Sequence, residues 1–209
     1  MIPIENNIPL EQLDQDINGY KQWLFENVQN YIQERTIELV SAQGGISSMF
    51  VDHKISLHLS DPQKPNRDRL RESFSDSPYI KSVRNVDLLR PNFGHAHRDL
   101  LAKFRTVVFL NAHLYSITPE IILNRSETLL KPAGILIFIL PSQTVFLYKD
   151  QSPLEELKQF NMHSINHLLA GRFILLKARY FTLHQYFKTS KYTNAGPFIL
   201  AILRKSSNH

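Results

Sequence analysis

The segment Thr36-Ile-Glu-Leu-Val-Ser-Ala-Gln-Gly-Gly-Ile-Ser47 places a carboxylate, two hydroxyls and two adjacent glycines where an apolar strand turns into a helix. In α/β proteins such a turn passes under a nucleotide-like ligand, and glycines there permit tight turning and close backbone approach. Val40 and Ala42, however, carry side chains where a ligand-cradling loop wants bare backbone. A side chain at Val40 is expected to intrude on ligand space, an overpacking effect of about 1–3 kcal/mol. Ser41, Ser47 and Ser48 suggest a nucleophile or a phosphate cradle. The Gly-x-Ser-x-Gly elbow and the Gly-Lys-Ser/Thr ending of a P-loop are both absent.

Other residue types narrow the chemistry. His163 and His167 stand four apart on a predicted helix, a spacing that suits zinc, yet no glutamate follows His163 and no third ligand is suggested, so no metal site is expected. His95 and His97 flank Ala96 at a predicted helix start, where exposure or capping is the expected role. The chain has no cysteine, which excludes disulfides, thiolate metal sites and cysteine nucleophiles and fits a cytoplasmic location. At 209 residues and 43% hydrophobic content it is long enough for one well-buried core, and a single domain over 1–209 is expected. The longest aliphatic or aromatic run, Ile135 to Leu140, is far below the roughly 20 residues that cross a bilayer, so no membrane insertion is expected. The formal charge is +5. Asp68 and Glu72 interrupt the densest basic stretch, Lys64 to Arg71, which reads as a solvated helix face and leaves nucleic acid a less favoured partner.

Positioning these residues takes alternating strands and helices. Tyr20, Trp23, Leu24, Val28, Tyr31 and Ile32 recur at steps of three and four, which predicts a leading helix over about 10–34. A strand is expected at 36–41, a short helix after Gly44-Gly45, a strand at 54–59 ended by Asp61-Pro62, and a charged helix to about Phe74. Further strands are expected at 80–86, 106–110 and 135–140, with a short helix at 95–103 and a longer one at 119–130. Two short helices over about 153–171 precede strands at 173–182 and 197–203. The alternation predicts a parallel sheet covered on both faces, finished by an antiparallel hairpin.

Phe104-Arg-Thr-Val-Val-Phe-Leu-Asn111 and, seventeen residues later, Leu129-Leu-Lys-Pro-Ala-Gly-Ile-Leu-Ile-Phe-Ile-Leu-Pro141 are similar to the fourth and fifth strands of class I S-adenosylmethionine-dependent methyltransferases. The resemblance covers about residues 20–204 and implies an α/β, three-layer Rossmann-like methyltransferase fold, its mostly parallel sheet ending in an antiparallel hairpin. The family's first motif, an acid followed by three alternating glycines, falls on Glu38, Val40, Ala42 and Gly44. Its ribose-binding acid at the end of strand 2 falls on Leu59; Asp61, two residues on, either compensates or marks the turn before Pro62. Asp87 matches a position that contacts adenine, or caps local backbone amides. An acid and a histidine that many members carry after strand 4 fall on Leu114 and Tyr115, beside His113. Methyl transfer from a sulfonium needs mainly in-line positioning, so no catalytic residue is assigned.

Two missing glycines and a missing ribose acid, the latter worth about 1.5–3 kcal/mol, imply that no cofactor is bound. The expected function is that of a non-catalytic, methyltransferase-like interaction or adaptor subunit of a larger protein complex, with Glu38, Gly44, Asp61 and Asp87 as the vestige of a cofactor site. The alternative is an active S-adenosylmethionine-dependent methyltransferase with an atypical loop, acting on a small molecule or a protein. Between Arg179 and Phe198 aromatic residues interleave with basic ones, as at protein interfaces and base-stacking surfaces. Tyr186, Phe187 and Tyr192 are the expected partner-binding residues there.

Overall fold

The computed structural model describes residues 10–110, 119–141, 145–149, 152–157, 169, 171–181 and 198–207. Seven strands form one sheet in the order β3-β2-β1-β4-β5-β9-β8. The first five in chain order, β1 (Thr36–Glu38), β2 (Leu57–Ser60), β3 (Ile80–Arg84), β4 (Phe104–Phe109) and β5 (Leu130–Pro141), run parallel. The last strand, β9 (Phe198–Lys205), inserts antiparallel between β5 and β8 (Phe173–Phe181), which is the expected closing hairpin.

Alternation along the strands divides the core into two layers. Val107, Phe109, Leu136 and Phe138 point to one face, covered by α5 (Pro119–Leu129) through Ile122 and Leu123 and by Phe93 of the four-residue α4 (Phe93–Ala96). Val108, Leu110, Ile137 and Ile139 point to the other. There they meet Leu24, Phe25 and Val28 of α1 (Leu10–Val28), Met49 and Phe50 of α2 (Ser47–Asp52), and Leu70 of α3 (Lys64–Ser73). The period of three to four in α1 therefore has a partner surface, and the fold is the three-layer arrangement expected. No described helix is long and apolar enough to cross a membrane.

Two segments depart from expectation. The helix expected over 95–103 stops at Ala96 because the chain is captured by the end of α5: the Ala102 and Lys103 amides donate to the Thr128 and Leu129 carbonyls, with Ala102 left-handed at φ 51°. The first of the helices expected after 153 is instead β7 (Ser152–Leu157), paired antiparallel with β6 (Val145–Lys149). The β-branched and aromatic residues Val145, Phe146 and Tyr148 make β6 a good strand, and a paired strand satisfies every second backbone group of its neighbour.

Candidate functional site

The sheet order 3-2-1-4-5 reverses direction between β1 and β4, and crevices at the carboxyl ends of strands beside such a switch point are where α/β proteins bind ligands. The Glu38–Gly44 loop lies there. Its backbone is left-handed at every second residue: φ is 57° at Val40, 51° at Ala42 and 85° at Gly44. These are the three positions at which the sequence resemblance calls for glycine. Side chains other than glycine disfavour that region by about 1–2 kcal/mol per residue, and a β-branched valine is an outlier there.

A buried hydrogen-bond network holds the loop in place. The Leu39 amide donates to the Val108 carbonyl and the Ser41 amide to the Ser60 carbonyl, which ties the loop to both neighbouring strands. The Ser60 hydroxyl donates to the Glu38 carbonyl at 2.9 Å, and the Ala42 amide donates to Asp61 Oδ2 at 3.0 Å. Val40 is 1% exposed and belongs to the apolar cluster of Val86, Leu88 and Phe93. The expected intrusion into ligand space is thus replaced by packing in the core. At Gly44 a side chain has no room, since a Cβ would lie 2.6 Å from Phe74 Cε2.

Glu38 is fully buried under the first turn of α2. Its Oε2 accepts the Ser47 hydroxyl at 2.5 Å, and its Oε1 is buried with no hydrogen-bond partner among the described residues. Burial pushes its carboxyl up from 4.5 to about 7, against the opposing pull of the Ser47 and Ser41 hydroxyls. Ser41 and Ser47 therefore serve the loop and the carboxylate rather than acting as nucleophiles. The contribution of Ser60 went unseen in the sequence, because an isolated serine at a strand end carries no spacing signal.

Leu59 is fully buried among Leu57, Phe50 and Leu70, so the place of the ribose-binding acid is filled by the core. Asp61 does more than mark a turn. It joins β2 to the loop through Ala42 and starts α3 by accepting the Gln63 amide at 2.8 Å and the Asn66 side-chain amide at 3.1 Å. Asp87 accepts the Leu89 amide at 2.9 Å, the local capping role, between the buried anchors Val86 and Leu88. His97, expected to be exposed or capping, is buried against the Phe93 ring, with centroids 4.7 Å apart. On α3, Lys64 and Arg71 both pair with Asp68, as a solvated helix face should. His113, Leu114, Tyr115, His163, His167 and the expected partner-binding Tyr186, Phe187 and Tyr192 lie outside the described residues.

No family model and no curated protein matches this sequence. Solved structures do match its fold. A methyltransferase dependent on S-adenosylmethionine from Methanosarcina mazei superposes with a TM-score of 0.65 at 15% identity, over 86% of this chain and 97% of that one. The 1,6-didemethyltoxoflavin-N1-methyltransferase of Burkholderia thailandensis, solved with 1,6-didemethyltoxoflavin and S-adenosylhomocysteine bound, gives 0.61 at 13% identity over 91% and 78%. The 4+2 cyclase SpnF gives 0.66 at 13% over 90% and 80%. The fold is that of the class I methyltransferases.

This comparison corrects the expectation that no cofactor is bound. One of these structures is an S-adenosylmethionine-dependent methyltransferase, and another holds S-adenosylhomocysteine. Losing the glycines does not remove the loop's backbone form, because Val40 and Ala42 adopt the left-handed conformation that glycine would supply.

Proposed function

We propose that this chain binds S-adenosylmethionine at the carboxyl ends of β1, β2 and β3 and is a methyltransferase acting on a small molecule or a protein. The observation that carries the reading is the left-handed backbone retained at Val40, Ala42 and Gly44, two of them against side-chain preference. Strain of this kind persists where the surroundings over-determine it, and it clusters at ligand sites. The second support is Oε1 of Glu38, which has no hydrogen-bond partner among the described residues: a buried acceptor beside the loop is suited to a cationic ligand.

Glu38, Gly44 and Asp87 would hold the cofactor, with Asp61 fixing the loop through the Ala42 amide. When bound, the cofactor supplies an electrophilic methyl group. The chain's own part is positioning, since transfer to a nucleophile depends chiefly on alignment. Leu59 offers no acceptor to the ribose, so affinity should fall about 10- to 100-fold below that of a site with an acid there, from a lost charged hydrogen bond of about 1.5–3 kcal/mol.

Calorimetric titration of the whole chain with S-adenosylmethionine and S-adenosylhomocysteine tests this. Saturable binding that weakens in Asp87→Ala and Glu38→Gln is the expected result, and no heat at millimolar cofactor would sink the reading. A second reading, an interaction subunit of a larger protein complex, is favoured by Leu59 replacing the ribose acid. Its test is capture of a stable protein partner that is lost on Tyr186→Ser or Phe187→Ser.

A further inference from the structure

Among the described residues, α4 covers only part of its face of the sheet. α4 ends after four residues, and His58 of β2 and Ser82 of β3 remain half-buried, joined by a hydrogen bond of 2.9 Å between Nδ1 and Oγ. The His58 ring sits edge-on against Phe104, with centroids 5.4 Å apart, which fixes it on this face. Beside it opens a depression of about 640 Å³ lined by His95, Ala96, Arg98, Asp99 and Lys103. Arg84 links the two features. Its guanidinium pairs with Asp99 at the depression and acts electrostatically on His58 together with Arg35 and Lys81.

Arg98 and Lys103 line the depression beside Asp99, Arg84 reaches it through Asp99, and Arg35 and Lys81 act with Arg84 on His58, so five cations border this region against the carboxylates of Asp99 and Asp87. All five are exposed. The whole chain has a formal excess of +5, and on α3 two of the cations, Lys64 and Arg71, are already engaged by Asp68. Burial, and the positive charges of Arg35, Arg84 and Lys81, push His58 down from its ordinary value, which favours the neutral ring.

We propose that this surface binds the phosphodiester backbone of a single-stranded nucleic acid. Three of its cations are arginines, whose planar forks match phosphate oxygens. A neutral, half-buried imidazole at its edge offers a flat surface for a base, the combination of cationic groove and aromatic platform that single-strand binders use. An acidic polypeptide would meet the charge but has no use for the ring. The proposal is independent of the cofactor reading, because it draws on the opposite face of β2 from α3 and needs no ligand at the Glu38 loop.

The test is fluorescence anisotropy of a labelled single-stranded oligonucleotide with the whole chain, without cofactor, over a series of salt concentrations. Binding should weaken with salt, and Arg98→Glu with Lys103→Glu should reduce it about tenfold or more while lowering the logarithmic salt slope by about 1.4, or roughly 0.7 for each lost phosphate contact. Arg69→Glu on the exposed face of α3 is the control and should change affinity by less than about twofold. Thermal melting of each variant verifies folding. Four outcomes overturn the proposal: no binding at low salt, the double variant binding like the parent, displacement by polyglutamate as effective as by polynucleotide, or displacement by adenosine triphosphate at equal phosphate concentration.

Discussion

Glu38 should make this protein lose stability as pH rises towards neutrality. Its carboxyl is fully buried and pushed up from 4.5 to about 7, with burial the dominant cause. In the unfolded chain it ionises near its ordinary value, whereas the folded chain keeps the proton until about pH 7. Between those limits the folded state holds the extra proton, so unfolding releases it and each pH step towards 7 favours the unfolded chain. The contribution is fully present below 4.5 and lost as pH passes through about 7. At about 1.4 kcal/mol per pH unit the whole window amounts to about 3 kcal/mol. Glu38→Gln keeps the shape and removes the titration. Urea unfolding of both proteins from pH 4 to 8 should show the parent losing about 3 kcal/mol relative to the variant, most of it between the two values. A difference that stays constant to within about 0.5 kcal/mol over the range would refute the reasoning, because it would mean that Glu38 titrates alike in the folded and unfolded chain.

The loop makes further predictions, read by urea unfolding at fixed pH. Ala42→Gly relieves a left-handed alanine, about 1–2 kcal/mol, against about 0.5–1 kcal/mol of added chain entropy and a half-exposed methyl, so its stability should change by less than about 0.5 kcal/mol and on the favourable side. Val40→Gly gains the same relief but forfeits a buried side chain worth about 1.5–3 kcal/mol, and should destabilise by about 1.5 kcal/mol. Gly44→Ala combines φ 85° with a Cβ 2.6 Å from Phe74, and a loss of about 2–4 kcal/mol is expected.

Much of the scaffold was legible because its signals are local. Val107, Val108 and Phe109 lie in an uninterrupted apolar run that only a doubly covered central strand needs, and the period of Tyr20, Leu24 and Val28 states which side of α1 is buried. The helix expected at 95–103 failed because carbonyls of α5, distant in sequence, capture Ala102 and Lys103. Glu38 and Gly44 stand where the motif puts them, but a count of glycines says nothing of a backbone held left-handed by neighbouring strands.

The amino-acid order by itself determined the strands of the main sheet, most of the helices between them, the sequence of parallel crossovers and the closing hairpin, since each follows from hydrophobic period and turn chemistry within a short stretch. Tertiary structure alone decided what the loop residues became. It turned Val40 into core, buried Glu38 with one oxygen unpartnered among the described residues, and gave Asp61 the Ala42 amide to hold. It also brought Arg84, from β3, to Asp99 beside Arg98 and Lys103 at one open depression. The reason is common to all of these. Burial and electrostatic neighbourhood depend on contacts between strands and helices, and no spacing along the chain encodes them.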